Sequence, residues 1–265
     1  MSPAGRSWHD LRRRVITGVA LAAFGAFVVW AGGLVFALTA AAAAGLILWE
    51  IVRMVAPERA SEALQIGILA AAAVLLARAL PGALTLPLLA APIAMGILWL
   101  RGNTLLFGLY GFAVLVACYG LILARDGYGV FWILWLVLTV VMTDIAGYFG
   151  GRAIGGAKFW PSVSPSKTWA GVIAGWLAAA LVGLALSVGA GAPLSLVVLS
   201  VLLSFASQLG DIAQSAFKRR AGVKDSSTLL PGHGGVFDRF DALLGAALFW
   251  FGLALVIDIP ELSLG

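Results

Sequence analysis

Residues 130–149 read VFWILWLVLTVVMTDIAGYF. No charged side chain occurs in this run before Asp144. A helix needs roughly 20 consecutive apolar residues to cross the hydrocarbon core of a bilayer. Barrel strands instead alternate polar and apolar residues over about ten positions. Only helices and closed barrels satisfy every backbone group in lipid. The stretch therefore predicts a transmembrane helix with a carboxylate near one end.

The same pattern recurs on both sides of it. Apolar runs bounded by charge, glycine or proline lie at 15–31, 34–55, 63–80, 84–100, 105–124, 169–189, 194–214 and 242–259. Together they predict an all-α polytopic membrane protein with about nine transmembrane helices. Composition agrees: the 265 residues are 62% hydrophobic and 11% charged, against about 25% charged in a soluble domain. That is too little charge to cover a water-facing surface, which excludes a soluble fold and a disordered chain. Pro87 and Pro92 fall inside the fourth run and predict a kink there, which membrane helices tolerate. Arg12, Arg13 and Arg14 before the first run resemble a secretory or twin-arginine signal. The second run follows after only Gly32-Gly33, so the first is read as a retained helix. Cys118, the single cysteine, is expected as a small buried residue of the lipid phase.

Charge placement sets the orientation. With the N-terminus inside and nine alternating helices, the inside segments hold Arg6, Arg12, Arg13, Arg14, Arg53, Arg59, Arg101, Arg152, Lys158, Lys167, Lys218, Arg219, Arg220, Lys224 and Arg239. Only Arg78 and Arg125, of 17 Lys and Arg, fall outside, as the positive-inside rule requires. The net charge of +5 is thus a topology signal, and nucleic acid is not expected as a partner. Trp8, Trp30, Trp49, Trp99, Trp132, Trp160 and Trp169 fall near span ends, where interfacial tryptophans are enriched. The expected location is a bacterial inner (cytoplasmic) membrane.

Residues 1–125, helices one to five, carry little chemistry. Glu50 and Arg53 could pair along one helix face or line a polar cavity; snorkelling to the interface is the simpler reading. Residues 126–265, helices six to nine, are read as the catalytic region. Two long cytoplasmic loops are expected there, at 150–168 (GGRAIGGAKFWPSVSPSKT) and 215–240 (SAFKRRAGVKDSSTLLPGHGGVFDRF). Asp144 and Asp211 precede them, and Asp225, Asp238 and Asp241 lie in or beside the second. Carboxylates within or beside spans are costly, and functional by default. Hard carboxylate oxygens suit Mg²⁺, which keeps positions open for phosphate and water. Lys and Arg neutralise phosphate, and glycines let backbone N–H groups approach it. The combination reads as a metal-dependent phosphate site. A lone His233 without cysteine ligands cannot make a zinc site. Ser164-Pro165-Ser166-Lys167-Thr168 resembles the end of a phosphate loop without the full pattern; a helix cap beside a topology-setting lysine explains it equally well.

The second loop is more specific. Ser215-x-x-Lys218-Arg219, Lys224-Asp225, then Pro231-x-His233-Gly234-Gly235-x-x-Asp238-Arg239-x-Asp241 resembles the signature of the phosphatidate cytidylyltransferases, the CDP-diacylglycerol synthases. Gly210-Asp211, the stretch Asp144, Tyr148, Phe149, Gly151, Arg152, and Ser164-Pro165-x-Lys167-Thr168-Trp169 are similar to further parts of the family. The resemblance covers about 144–245. Ala170 and Gln214 stand where the family often has Glu.

The resemblance implies transfer of CMP from CTP to phosphatidate, with Mg²⁺ and room for a second cation. A phosphate monoester is already mostly ionised at pH 7, so it can attack the α-phosphorus of CTP without a strong base. Positioning and charge neutralisation are then the main demands. Asp211 and Asp238 are the expected metal ligands, with Asp144 and Asp241 completing or orienting that site and Asp225 a weaker candidate. Lys167, Lys218, Arg219, Lys224 and Arg239 are assigned to phosphates. His233, Gly234 and Gly235 are assigned to a turn against the nucleotide, and Ser164, Thr168 and Ser215 to substrate contacts. Phosphatidate would enter from the inner leaflet and CTP from the cytoplasm. Small-residue helices permit a homodimer. Two rival readings are a secondary transporter or channel and a related membrane transferase acting on another lipid phosphate.

Overall fold

The computed structural model describes residues 3–100, 104–230, 232 and 234–257, with side chains from residue 15 onward in those ranges. Among the described residues nine α-helices carry the fold: α1 (Pro3–Ala31), α2 (Gly33–Val55), α3 (Ala60–Ala79), α4 (Thr85–Trp99), α5 (Thr104–Ile122), α6 (Val130–Ala153), α7 (Trp169–Gly189), α8 (Leu196–Arg220) and α9 (Phe237–Val256). Among the described residues, eight helices are long and apolar enough to cross a membrane, and Val15–Ala31 is a shorter apolar stretch. The protein is an all-α polytopic membrane protein. A 3-10 turn, Gly82–Leu84, leads into α4. Pro87 falls in the first turn of α4, where a missing N–H costs nothing, and Pro92 lies inside it.

The chain divides into two compact units. The first is Met1–Leu115 with Ala221–Phe240. Its helices meet through small side chains. A Cβ on Gly45 of α2 would stand 2.7 Å from the carbonyl oxygen of Gly67 of α3, and the reverse distance is the same. Backbones approach this closely only where neither residue has a side chain. Ala37, Ala41, Ala44, Ala63 and Ala70 are buried around that crossing. Arg53 donates from Nη1 to the carbonyl of Pro57 at 2.7 Å and so closes the C-terminal end of α2. The expected Glu50–Arg53 alternatives give way to separate roles.

The second unit is Val116–Arg220 with Asp241–Gly265. A Cβ on Gly171 of α7 would lie 2.6 Å from the Gly147 carbonyl of α6, and one on Gly210 of α8 2.9 Å from the Cα of Gly245 of α9. Trp132, Trp135 and Trp250 form a buried aromatic cluster with Tyr128 and Phe131, with ring centroids 5.2–6.1 Å apart. This corrects one interfacial assignment: Trp132 is 3% exposed and belongs to the core, whereas Trp30, Trp160 and Trp169 are exposed. Trp8 lies outside the described side chains.

Both expected loops are shorter than their hydropathy suggested. Helix α6 runs on to Ala153, α8 to Arg220, and α9 starts at Phe237. Hydropathy drops where charged residues begin, but lysine and arginine are good helix formers, so the helices continue beyond their apolar runs. The segment between α6 and α7 also folds into a hairpin, β1 (Lys158–Trp160) antiparallel to β2 (Ser164–Thr168).

Candidate active site

In the second unit, Asp144, Gly147, Tyr148, Gly151 and Arg152 fall on one face of α6 by their three- and four-residue spacing. They line a cavity of about 410 Å³, shared with Ser166, Lys167 and Thr168 of β2, Gly171 and Val172 of α7, and Gln208 and Asp211 of α8. Lys167 Nζ forms an ion pair with Asp211, the two side chains being 22% and 28% exposed. Asp144 lies within electrostatic range of both, and Asp241 within range of Asp211, Asp144 and Lys218. Three carboxylates therefore gather around two lysines.

Local structure explains how Lys167 is held. Thr168 is the N-cap of α7, and its Oγ1 accepts from the Gly171 N–H at 3.2 Å. This satisfies one of the orphan donors that every helix start leaves. The hairpin register pairs Lys158 with Thr168, and the Trp169 N–H donates to the Ala157 carbonyl at 3.0 Å. Lys167 is thereby fixed one residue before the N-cap of α7. The helix-cap explanation of SPSKT holds at Thr168, and Lys167 lines the cavity. Ser164 is buried at the start of β2.

Beneath the cavity a polar seam joins α6, α7 and α8. Thr143 Oγ1 donates to Ser204 Oγ at 2.8 Å. Trp176 Nε1 donates to Gln208 Oε1 at 3.0 Å, and Gln208 Nε2 to the Val172 carbonyl at 3.3 Å. Deeper, Trp135 Nε1 donates to Ser200 Oγ at 2.8 Å. Thr143 and Gln208 were missed as site residues. The available signal was spacing: Gln208 lies three residues before Asp211 in α8, hence on the same face. Arg152 Nη1 donates to the Tyr148 hydroxyl at 3.0 Å at the rim.

In the first unit, residues 221–240 build a separate constellation. Asp238, 7% exposed, accepts at Oδ2 from the Ser226 N–H at 2.8 Å, the Ser226 hydroxyl at 3.0 Å and the Gly235 N–H at 3.0 Å. The Leu230 N–H donates to the Gly234 carbonyl at 2.8 Å, and Gly234 has φ +79°, a left-handed conformation that favours glycine. Glu50 of α2 completes the cluster. It is fully buried and accepts from Ser227 Oγ at 2.6 Å, Ser226 Oγ at 3.0 Å, Val236 N–H at 2.9 Å and Phe237 N–H at 2.7 Å. The snorkelling expected of Glu50 is therefore overturned: the donors of a distant loop supply what water would have supplied. A lone carboxylate in an apolar run was the signal, but its partners could not be read from it.

The remaining candidates spread over helix ends and loops. Lys224, Asp225 and Arg239 are exposed, as are Arg219 and Arg220 at the end of α8, while Lys218 and Ser215 are half-buried. His233 and Pro231 lie outside the described residues.

The donor set can be tested against a divalent cation. Among the described residues no three acidic, histidine or cysteine groups already stand as a ligand cluster. Mg²⁺ does not ask for one, since it binds through one or two carboxylates plus phosphates and water. Asp211 with Asp144 nearby, beside an open cavity, fits that requirement.

The chain is similar to known proteins over most of its length. A family model described as "Cytidylyltransferase family" matches residues 12–257. The phosphatidate cytidylyltransferase of Brucella suis biovar 1 (strain 1330) is 37% identical over 264 residues, covering 95% of this chain and 97% of that protein. That of Bacillus subtilis (strain 168) is 33% identical over 265 residues, covering 93% and 98%. That of Haemophilus influenzae (strain ATCC 51907 / DSM 11121 / KW20 / Rd) is 42% identical over 130 residues, covering 46% and 45%.

Proposed function

The chain belongs to the cytidylyltransferase family, and from that premise we propose that it is a phosphatidate cytidylyltransferase, converting CTP and phosphatidate to CDP-diacylglycerol and pyrophosphate. One lipid phosphate oxygen attacks the α-phosphorus of CTP. A new P–O bond forms there, the bond to the bridging β-phosphate oxygen breaks, and pyrophosphate leaves with the electron pair. The observation that carries the reading is the cavity of the second unit, where Lys167, Asp211 and Asp144 meet. It offers a cation for phosphate and hard oxygens for a metal.

In this reading Lys167 binds a phosphate of CTP and is held in place by Asp211 and by the cap of α7. Asp211, and separately Asp238, are the proposed metal ligands, with Asp144 and Asp241 orienting the second unit's site. A bound Mg²⁺ supplies positive charge that offsets repulsion between the two anionic reactants. Lys218, Arg219, Lys224 and Arg239 are assigned to substrate phosphates, with Asp225 beside them. Ser164, Thr168 and Ser215 are assigned to substrate contacts, and His233, Gly234 and Gly235 to the nucleotide. The hydroxyl of Thr168 already serves the helix cap, which makes its part in substrate binding indirect.

Phosphatidate keeps its acyl chains in the inner leaflet and CTP arrives from the cytoplasm. The one-sided distribution of Lys and Arg supports a cytoplasmic N-terminus and site in a bacterial inner membrane. Residues 126–265 carry the chemistry and 1–125 the supporting helices, with a homodimer as the proposed assembly. The test is direct: purified protein should form labelled CDP-diacylglycerol from labelled CTP and phosphatidate, with release of pyrophosphate, only when Mg²⁺ is present. A polyprenol phosphate used in preference to phosphatidate would reject the substrate, and transport without turnover would reject the reaction.

A further inference from the structure

We propose that Glu50 is a positioning residue for the transfer reaction, holding the segment from Ser226 to Phe237 in the conformation that catalysis requires. The inference rests on the reading above that residues around this segment handle substrate phosphates.

The geometry is specific. Each carboxylate oxygen of Glu50 takes one hydroxyl and one backbone donor: Oε1 takes Ser227 Oγ and Val236 N–H, and Oε2 takes Ser226 Oγ and Phe237 N–H. Val236 and Phe237 supply the first N–H groups of α9. A helix start leaves such donors without intrahelical partners, and an anion is favoured there. Glu50 therefore caps α9 from a helix 186 or 187 residues away in sequence. Asp238, in the first turn of α9, reaches back to the Gly235 N–H, as the reaching-back member of a capping box does. The Ser226 hydroxyl contacts both carboxylates, so the position of Asp238 is tied to that of Glu50.

The fit leaves no slack. A Cβ on Gly235 would run into Ser226 Oγ and the Glu50 carboxylate. Beside the fixed residues, the side chains assigned to phosphates point outward. Lys224 is exposed two residues before buried Ser226, and Arg239 is exposed next to buried Asp238. Burying a carboxylate is costly unless its hydrogen bonds are made, and an apolar residue would secure α2 against α9 without that cost. What a carboxylate adds is simultaneous control of the Ser227 hydroxyl and two backbone N–H groups, with the single Ser226 hydroxyl proton shared with Asp238, hence of one backbone conformation.

The test compares wild type, Glu50→Gln, Glu50→Asp and, as a control away from the site, Glu62→Gln, each as full-length protein in detergent. Glutamine replaces one oxygen by an N–H donor, which then faces two donors of the segment. Hydrogen exchange of residues 226–237 should accelerate at least tenfold in Glu50→Gln. Its kcat should fall about 100-fold, the scale of a misplaced positioning group, with KM for CTP changed less than threefold. Glu50→Asp keeps two acceptors and should recover part of kcat, and Glu62→Gln should match wild type. If Glu50→Gln does not accumulate, Ser227→Ala deletes the shortest of the four bonds and should show both effects in smaller measure, about three- to tenfold in kcat. Unchanged exchange, or faster exchange with wild-type kcat, overturns the inference. Wild type unable to use phosphatidate would instead overturn the functional reading, and the exchange comparison would still judge whether Glu50 holds the segment.

Discussion

Removing Lys167 is the perturbation whose size can be worked from the structure. Lys167 pairs with Asp211, and Asp144 lies within range of both. Two unit charges about 4 Å apart attract by about 4 kcal/mol at an effective dielectric of 20. The side chains are 22% and 28% exposed, so the pair lies between an exposed one, at about 0–1 kcal/mol, and a buried one, whose disruption costs about 3–5 kcal/mol. Discounting for solvent, Lys167→Ala should destabilise the protein by about 1–2 kcal/mol. Its effect on the reaction should be larger relative to that. A charge-assisted hydrogen bond to phosphate contributes about 1.5–3 kcal/mol, so kcat/KM for CTP should fall about 10- to 150-fold. The assay is initial velocity against CTP at saturating phosphatidate in mixed micelles, with thermal unfolding measured on the same preparations. An unchanged CTP dependence would refute the assignment of Lys167 to the nucleotide. A loss of stability alone would reduce the pair to scaffolding.

Three further outcomes follow from the same geometry. Asp211→Asn should abolish turnover, at least 100-fold in kcat, while the protein still inserts and purifies; near-wild-type activity would remove the metal assignment. Thr168→Ala deletes the α7 cap and should cost about 1 kcal/mol in unfolding free energy, whereas Thr168→Ser, which keeps the acceptor, should restore it. Topology reporters fused after residues 56 and 190 should map to the cytoplasmic and external faces respectively, and finding both on one side would break the helix count.

The helices were legible because lipid imposes one rule on every span, and a run such as 130–149 has no other way to satisfy its backbone. The ends of α6, α8 and α9 were less legible. Residues such as Lys218, Arg219 and Arg220 end the apolar run without ending the helix, and hydropathy reports only the first event. The hairpin before α7 had no periodicity to announce it, since β2 is five residues long and contains Pro165. Asp144, Lys167 and Asp211 stood out as charges beside apolar runs. Gln208 and Thr143 are uncharged and needed the three-dimensional face of α6 and α8 to show their place. Glu50 was visible as an anomaly, but the donors that satisfy it lie 176 to 187 residues away, a separation no local pattern encodes.

That separation has a consequence for biosynthesis. At about 5–20 residues per second, the ribosome reaches Ser226 roughly 10 to 35 seconds after it has made Glu50. Throughout that interval α2 is an apolar segment carrying a carboxylate whose native donors do not yet exist. Until then its hydrogen bonds must come from other donors. The final position of α2 is set late, when the segment at 226–237 arrives and closes over the carboxylate. Completion of the Glu50 cluster therefore waits on residues 226–237, and truncation before residue 237 should leave that cluster unfinished however well the N-terminal helices insert.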